Sequence, residues 1–441
     1  MRKMKDSGIE WIGEIPESWD VGKLGYFIQV FNGDRSSNYP SGNDLQEEGI
    51  PFLTSSNLEK DELTLDECKY ITQEKYDSMG GFKMQINDII YCLRGSVGKC
   101  SINLTEEQGT VASSLMGIRC TKIDPKFLLY ILKSSVVDTQ NALFINGTCA
   151  ANLSAENVFE YRIPILDTKT QVDIVDYLDK KCAEIDAIIA VKEKTNELLK
   201  ERRQSIIYEA VTKGLDPTVP MKDSGVEWIG KVPFDWTVCK IKHFVVNEDG
   251  VRIGPFGSAL TNRLLENGEY NVYSQANLIA GDFASTKHTI DEETFNDLRS
   301  YEVLADDICV SMMGTIGKCM VVPNGIKPGI MDSHLIKIRL KSHVNPKFFE
   351  YVYDKDNSGL CFAQMKRDSK GTIMDGLNST IVKNLFFPLP SLDIQNEIVD
   401  YLDETCCALD TLITANESTI AKLKEYRQSV IYEAVTGKVE I

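Results

Sequence analysis

Two short stretches have the composition of a phosphate-gripping loop: Gly95-Ser96-Val97-Gly98-Lys99-Cys100 and Gly314-Thr315-Ile316-Gly317-Lys318-Cys319. A nucleotide-hydrolysing loop needs a further glycine four residues ahead of the Gly-Lys pair and a Ser or Thr after the lysine. Here position 93 is Leu, position 312 is Met, and Cys follows each lysine. Hydrolysis is therefore not the chemistry of these stretches. Two readings stay open: a tight turn offering amides and a lysine to a backbone phosphate, or a turn that is purely structural.

The remaining reactive side chains form no catalytic set. There is no GxSxG, HExxH, dinucleotide fingerprint or zinc-deaminase pattern, and no adenine-methylating NPPY-like tetrapeptide. The 12 cysteines include no CxxC pair, and Cys92, Cys182 and Cys309 lie inside apolar or helical patterns, as reduced buried thiols do. Four scattered histidines show no ligand spacing, so no metal site is expected. The paired carboxylates Asp306 and Asp307 read as solvated or turn-forming. This chain is expected to be non-catalytic and to hold no cofactor of its own.

The loops carry a different chemistry. Arg, Lys, Asn, Gln and Ser are the side chains that hydrogen-bond base edges and phosphates. The first half offers Arg35, Ser36, Asn38 and Tyr39, then Ser55, Ser56, Asn57 and Arg94, with Lys99 in its glycine turn. The second offers Arg252, Ser258 and Asn262, then Ser274, Gln275 and Asn277, then Lys318 and the cluster Lys366, Arg367 and Lys370. Singly, such a residue is more often solvated loop. The cluster of three cations within five residues is the strongest of them.

What must hold these loops is a frame that occurs twice. Residues 171–212 and 395–436 agree at about 24 of 42 places when shifted by 224 positions. Neither copy contains Gly or Pro, so each predicts one long helix of roughly 60 Å. Leu178, Cys182, Ile185, Ile189, Lys192, Asn196, Leu199, Arg203, Ile206 and Ala210 step alternately by four and three, as do Leu402, Cys406, Leu409, Ile413, Asn416, Ile420, Leu423, Arg427, Val430 and Ala434. That spacing is a coiled-coil seam and predicts that the two helices pair with each other, rather than each lying on its own domain. Polar seam positions such as Asn196 and Asn416 fix register at some cost in stability.

The duplication extends beyond the helices. Residues 4–24 recur as 221–241, and these two segments hold all four tryptophans: Trp11, Trp19, Trp228 and Trp236. They read as structural anchors that dock a domain against a helix end. NDIIYCLRGSVGKC (87–100) recurs as DDICVSMMGTIGKC (306–319), and IDPKFLLYIL (123–132) as VNPKFFEYVY (344–353). Gly147-Thr148 and Asn152-Leu153 answer Gly371-Thr372 and Leu377-Asn378. The expected layout is therefore a first mixed α/β domain over 1–165, a long helix over 166–213, a Gly- and Pro-bearing linker at 214–220, a second domain over 221–390 and a final long helix within 391–441. Between shared landmarks the loops diverge, which suits two binding sites of one kind tuned to different targets.

A net charge of −17 counts against a strong stand-alone nucleic-acid binder and predicts reliance on partners, although phosphate contacts need only a local basic face. No apolar run approaches 18 residues and the start has no hydrophobic leader, so a cytoplasmic protein away from membranes is expected.

The W-I-G-x-[IV]-P-x-x-W openings, the NDII…RGSVG and DDIC…MGTIG segments, and the helices ending RQSIIYEAV and RQSVIYEAV together resemble the specificity subunits of type I restriction-modification systems, over essentially the whole chain. That resemblance implies an α+β fold of two pseudo-two-fold-related target-recognition domains separated by an antiparallel pair of long helices. It implies a non-catalytic subunit reading a bipartite, asymmetric site in double-stranded DNA, one half-site per domain. It also implies two modification subunits that methylate adenine with S-adenosylmethionine, and restriction subunits using ATP and Mg in the full complex. Two other classes remain in view: a scaffold whose two domains bind protein or carbohydrate, and a stand-alone methyltransferase, which the absent tetrapeptide disfavours.

Overall fold

The computed structural model describes residues 2–34, 39–66, 68–145, 152–247, 250–256, 258–368 and 377–441. The chain folds into two compact units that do not follow sequence order. Unit 1 joins Met1–Lys192 to Ser418–Ile441, and unit 2 is the continuous stretch Glu193–Glu417. Each long helix thus gives one half to each unit.

In unit 1 the strands Ile28–Asn32, Leu115–Cys120, Ile89–Cys92 and Cys100–Ile102 form an antiparallel sheet in that spatial order. Ile89, Ile90, Tyr91 and Cys92 are buried on both faces, as expected of a β-branched and aromatic run in a central strand. A second sheet runs Thr110–Val111, Ile50–Leu53, Lys69–Ile71 and Leu45–Gln46, its first two strands parallel. Unit 2 repeats the first sheet as Val251–Ile253, Leu335–Ile338, Ile308–Ser311 and Cys319–Val321. Its second sheet is the three strands His288–Ile290, Tyr270–Tyr273 and Gly329–Met331.

The central helix is Thr168–Lys213 and the C-terminal helix Leu392–Val435. Asp167 opens the first by accepting from the Thr170 N–H (3.0 Å), and Gly214, at φ +77°, closes it with its N–H on the Ala210 carbonyl. Within unit 1, Arg427 Nε sits 3.0 Å from Asp186 Oδ1. Within unit 2, Asn416 Nδ2 donates to Asn196 Oδ1 (2.9 Å), and Arg203 Nε lies 3.2 Å from Asp410 Oδ1. Within unit 2 a higher number on one helix meets a lower one on the other, so the two helices run antiparallel there. Leu178, Ile185, Ile189, Leu402, Ile413 and Val430 are buried, and Leu199, Ile206, Leu409, Ile420 and Leu423 are half-buried. No seam position is exposed, whereas Ile188, Val191, Leu198 and Leu412, off the seam, are. The 3.5-residue period was the decisive signal.

The tryptophan segments dock as expected, onto helix ends. In unit 1, Trp19 and Ile12 share a core with Val430, Ile431, Ala434 and Val435 of the C-terminal helix, and Tyr432 Oη donates to the Ile12 carbonyl (3.1 Å). A Cβ on Gly437 would fall 2.5 Å from Pro16 and 3.0 Å from Trp19, so only glycine permits this approach. In unit 2, Trp236 packs in one core with Ile207, Ala210 and Val211 of the central helix. No helix among the described residues is long and apolar enough to cross a membrane.

Candidate nucleic-acid interface

Each glycine turn is a hairpin connection at one end of the first sheet. Gly95 and Gly98 have φ of +80° and +90°, and Gly314 and Gly317 have +66° and +88°, a region that L side chains rarely adopt. A Cβ at Gly98 would meet Asn141 Nδ2 at 3.0 Å, and one at Gly317 would meet Phe362 at 2.8 Å. Several of the turn's amides are used internally: Gly98 N–H donates to the Cys92 carbonyl and Lys99 N–H to Ser96. Lys99 Nζ pairs with Glu59 (2.6 Å) and Lys318 Nζ with Asp356 (3.1 Å). These bonds give each turn a structural part and give each lysine an acidic partner.

Beside each turn lies a second, smaller one. Asn57 Oδ1 accepts from Thr54 N–H (2.9 Å), and Asn277 Oδ1 from Ser274 N–H (3.0 Å), both in reciprocal capping boxes. Both asparagines are buried, and their amides are spent as well: Asn57 Nδ2 on Cys68 Sγ, Asn277 Nδ2 on the Asp282 and Ser285 carbonyls. They hold the loops rather than read bases. The residues the caps project differ between units. In unit 1 these are Ser55, half-buried, and Ser56, exposed. In unit 2 Gln275 bridges to the glycine turn, its Nε2 donating to the Met313 carbonyl (2.7 Å) and Thr315 Oγ1 (3.1 Å).

The structure thus brings one set of candidates together in each unit. In unit 1, Arg94 is exposed on the glycine turn, its Nε on Asn152 Oδ1 (3.1 Å), and Lys99 reaches toward the capping turn through Glu59. In unit 2, Gln275 and Lys318 flank the corresponding turn, where exposed Met313 replaces Arg94. Other candidates fall elsewhere. Tyr39 stacks edge-on against Phe52 (5.7 Å between centroids) and belongs to the packing of the second sheet. Arg252 lies over the Tyr301 ring, Lys366 over Phe362, and Asn262 is exposed. Arg35, Ser36, Asn38 and Lys370 lie outside the described residues, as do Gly147, Thr148, Gly371 and Thr372. Ser258 and Arg367 are described only as helix backbone.

One expectation is corrected. Asp307 is neither solvated nor merely turn-forming: it is 2% exposed and takes Arg339 in a two-pronged pair (Nε and Nη2, both 2.7 Å) while accepting the Leu304 N–H (2.9 Å). Asp306, at φ +67°, is the turn residue. Unit 1 repeats the arrangement with Asp88, 1% exposed, accepting from Arg119 Nε (2.8 Å) and Nη2 (2.7 Å) and from Gln85 N–H. This pair ties the central strand of the first sheet to its neighbour just where the strand begins.

Sequence reasoning missed other supports. Gln171 and Gln395 are buried where the long helices start and accept from Asp124 and Asn345 N–H groups, each at 2.8 Å. Tyr130 donates to Asp179 (2.7 Å) and Tyr351 to Asp403 (2.6 Å). The signal that could have found them is identity between the two copies at polar positions. Burial pushes the thiols of Cys100 and Cys309 up to about 12, consistent with inert core cysteines.

A family model described as type I restriction modification DNA specificity domain matches residues 16–201 and 254–425. The StySPI specificity subunit of Salmonella potsdam is 22% identical over 442 residues, covering 97% of this chain and 90% of that protein. A putative type I restriction enzyme MjaX specificity subunit of Methanocaldococcus jannaschii is 21% identical, covering 98% and 96%. A solved chain from work on complex assembly and conformational transition of the type I R-M system has a TM-score of 0.70 at 14% identity, covering 96% of this chain and 99% of that one, a likeness of fold alone. Since the matched segments take in well over half its residues, this chain belongs to the family of type I restriction-modification specificity subunits.

Proposed function

We propose that the chain reads double-stranded DNA as the targeting subunit of a type I restriction-modification complex, one half-site per unit, and itself performs no catalysis. The observation that carries this reading is a single loop frame built twice with different tips. The glycine turn and the capping turn recur at the same edge of each first sheet, but Arg94, Ser55 and Ser56 in one are Met313, Gln275 and Ala276 in the other. A fixed frame with altered exposed groups gives two related readers and an asymmetric target.

Two modification subunits would methylate adenine with S-adenosylmethionine, and restriction subunits would supply ATP- and Mg-dependent cleavage. The chain's acidity places the burden of general phosphate affinity on those partners. Methylome mapping in a host expressing this chain with its modification subunit tests the reading. The expected result is one split motif bearing methyladenine. A methylated motif that survives replacement of both loop sets would overturn it.

A further inference from the structure

The first sheet of each unit ends on the strand that follows the glycine turn, Cys100–Ile102 in unit 1 and Cys319–Val321 in unit 2. In unit 1 the chain covers that edge itself. After its capping turn it runs alongside the strand: Ile102 N–H donates to the Asp61 carbonyl (2.9 Å), and Leu63 N–H donates to the Ile102 carbonyl (2.8 Å). Glu62 bridges Ile102 in parallel register, and the Asp61 side chain meets Lys133 and Arg427.

In unit 2 the chain leaves its capping turn as the helix Gln275–Ala280, which ends at Gly281 in the left-handed region. Among the described residues, none bridges the outer side of Cys319–Val321. Two carboxylates stand there instead. Asp354 Oδ2 accepts the Cys319 N–H (2.7 Å), and Glu350 Oε2 takes only a long bond from the Val321 N–H (3.4 Å). An open cleft of 710 Å³ lies along this edge, bounded by Ile279, Met320, Glu350 and Asp354, and by Arg203 and Ile413 of the long helices. An uncovered strand edge is a template for another strand.

The wall of the cleft has also changed sign. Tyr130 and Tyr351 make the same bond to a long helix, which sets Leu129, Lys133 and Ser135 of unit 1 against Glu350, Asp354 and Asp356 of unit 2. One cation there answers to three carboxylates here. The cations nearby are already paired: Arg203 with Asp410 (3.2 Å), Lys318 with Asp356 (3.1 Å), Lys347 with Glu350 (3.0 Å) and Lys200 with Glu417 (3.7 Å). Asp354, at the place of Lys133, accepts the backbone N–H groups of Cys319 and Asp356. Burial holds the carboxyls of Glu350 and Asp354 above their ordinary values, a cost that a neighbouring cation would relieve.

We infer that this cleft docks an extended segment of a partner protein, which adds a strand to the Cys319–Val321 edge and directs a lysine or arginine at Asp354. Main-chain bonds to Val321 supply the attachment, as those to Ile102 do within unit 1, and the acidic wall selects the charge. The site belongs to unit 2 alone, because unit 1 fills the matching edge with its own residues 60–63.

The test labels the methionine methyl groups of the full chain with carbon-13, making Met320 the reporter on this edge. The probe is a synthetic peptide copying Leu58–Leu65 with the change Asp61→Lys. It should shift the Met320 signal saturably. The copy that keeps the aspartate should bind roughly tenfold more weakly, the worth of one charge-assisted hydrogen bond. A lysine copy with Leu63→Pro lacks the N–H that the edge carbonyl would accept, and should lose a similar factor. In the protein, Asp354→Asn should level the lysine and aspartate peptides, with thermal unfolding to show the fold intact; Glu350→Gln serves the same comparison if that variant does not fold. No shift of Met320 at millimolar peptide, or equal shifts with all three copies, overturns the site. So does a peptide-free chain that sediments as a dimer and whose Met320 signal moves on dilution, since a second copy would then be the occupant.

Discussion

Arg427 Nη2 stands 2.6 Å from Asp61 Oδ2, a contact between residues 366 positions apart. Lys133 Nζ approaches the other oxygen of Asp61 at 2.5 Å, and Asp186 holds Arg427 from the neighbouring helix. The C-terminal helix is thereby locked within unit 1 by charge as well as by the apolar core around Trp19. Burial alone would raise the Asp61 carboxyl, but Lys133 and Arg427 outweigh it and hold the group below its ordinary value.

Removing that carboxylate should therefore matter at neutral pH and cease to matter in acid. A group lowered in the folded state stabilises fully above its unfolded value, about 3.9, and loses that contribution as pH falls through the folded value. Asp61→Asn should cost about 1–2 kcal/mol at pH 7, less than a fully buried pair because Asp61 keeps part of its surface in water. Urea unfolding at pH 7 and at progressively lower pH measures it, and a constant difference across the series would contradict the assignment.

The two-pronged pairs Asp88–Arg119 and Asp307–Arg339 make a paired prediction. Asp88→Ala or Asp307→Ala leaves a partly exposed arginine without its carboxylate and should destabilise its unit by about 2 kcal/mol. Because each pair sits inside a single unit, the two losses should add in the double variant. Thermal unfolding of both singles and the double reads this directly, and strong non-additivity would show the units to be coupled there.

Asn196 and Asn416 meet on the seam, Asn416 Nδ2 donating to Asn196 Oδ1 at 2.9 Å. Changing only Asn196 to Leu removes this bond from the seam and should cost about 1 kcal/mol. Changing both to Leu should recover or exceed the parent's stability while loosening register, since the polar pair selects alignment rather than strength. Cysteine cross-linking at positions flanking the pair distinguishes one alignment from several, and a double variant that cross-links in a single register would refute the selective role.

Deleting one heptad from each long helix, chosen so that Asn196 and Asn416 stay in place, preserves the seam and shortens the pair by about 10 Å. If helix length sets the half-site separation, methylome mapping of this variant should return both original half-sites with about 3 base pairs fewer between them, at roughly 3.4 Å per pair. An unchanged spacer would mean that distance is measured by something else.

Much of this architecture was legible because the relevant signals are local and repeated. The seam from Leu178 to Ala210 and from Leu402 to Ala434 is a periodicity, and periodicity reports burial directly. What a periodicity does not report is which core a helix end joins. That Val430 and Ile431 complete the domain containing Trp19, or that Arg427 finds Asp61, depends on contacts hundreds of residues apart. The candidate readers show the opposite difficulty. Asn57 and Asn277 have the right chemistry for adenine, but both are consumed by capping boxes. The [ST]-x-x-N spacing shared by Thr54-Asn57 and Ser274-Asn277 was the available clue. Composition hides Asp307, since an acidic chain makes any one carboxylate look dispensable; its partner Arg339, matched by Arg119 in the other copy, is the signal.

Because unit 2 is one uninterrupted stretch while unit 1 awaits Ser418–Ile441, the order of events on the ribosome is turned around. Domains generally acquire structure from the amino end during synthesis. Here the portion translated first must remain unfinished, its Trp19 cluster open, until the closing residues emerge. Nascent chains stalled just short of Ser418 should thus resist a brief protease pulse between 193 and 417 and be cut before it. The first half of this protein, in effect, finishes folding only after the second has been made.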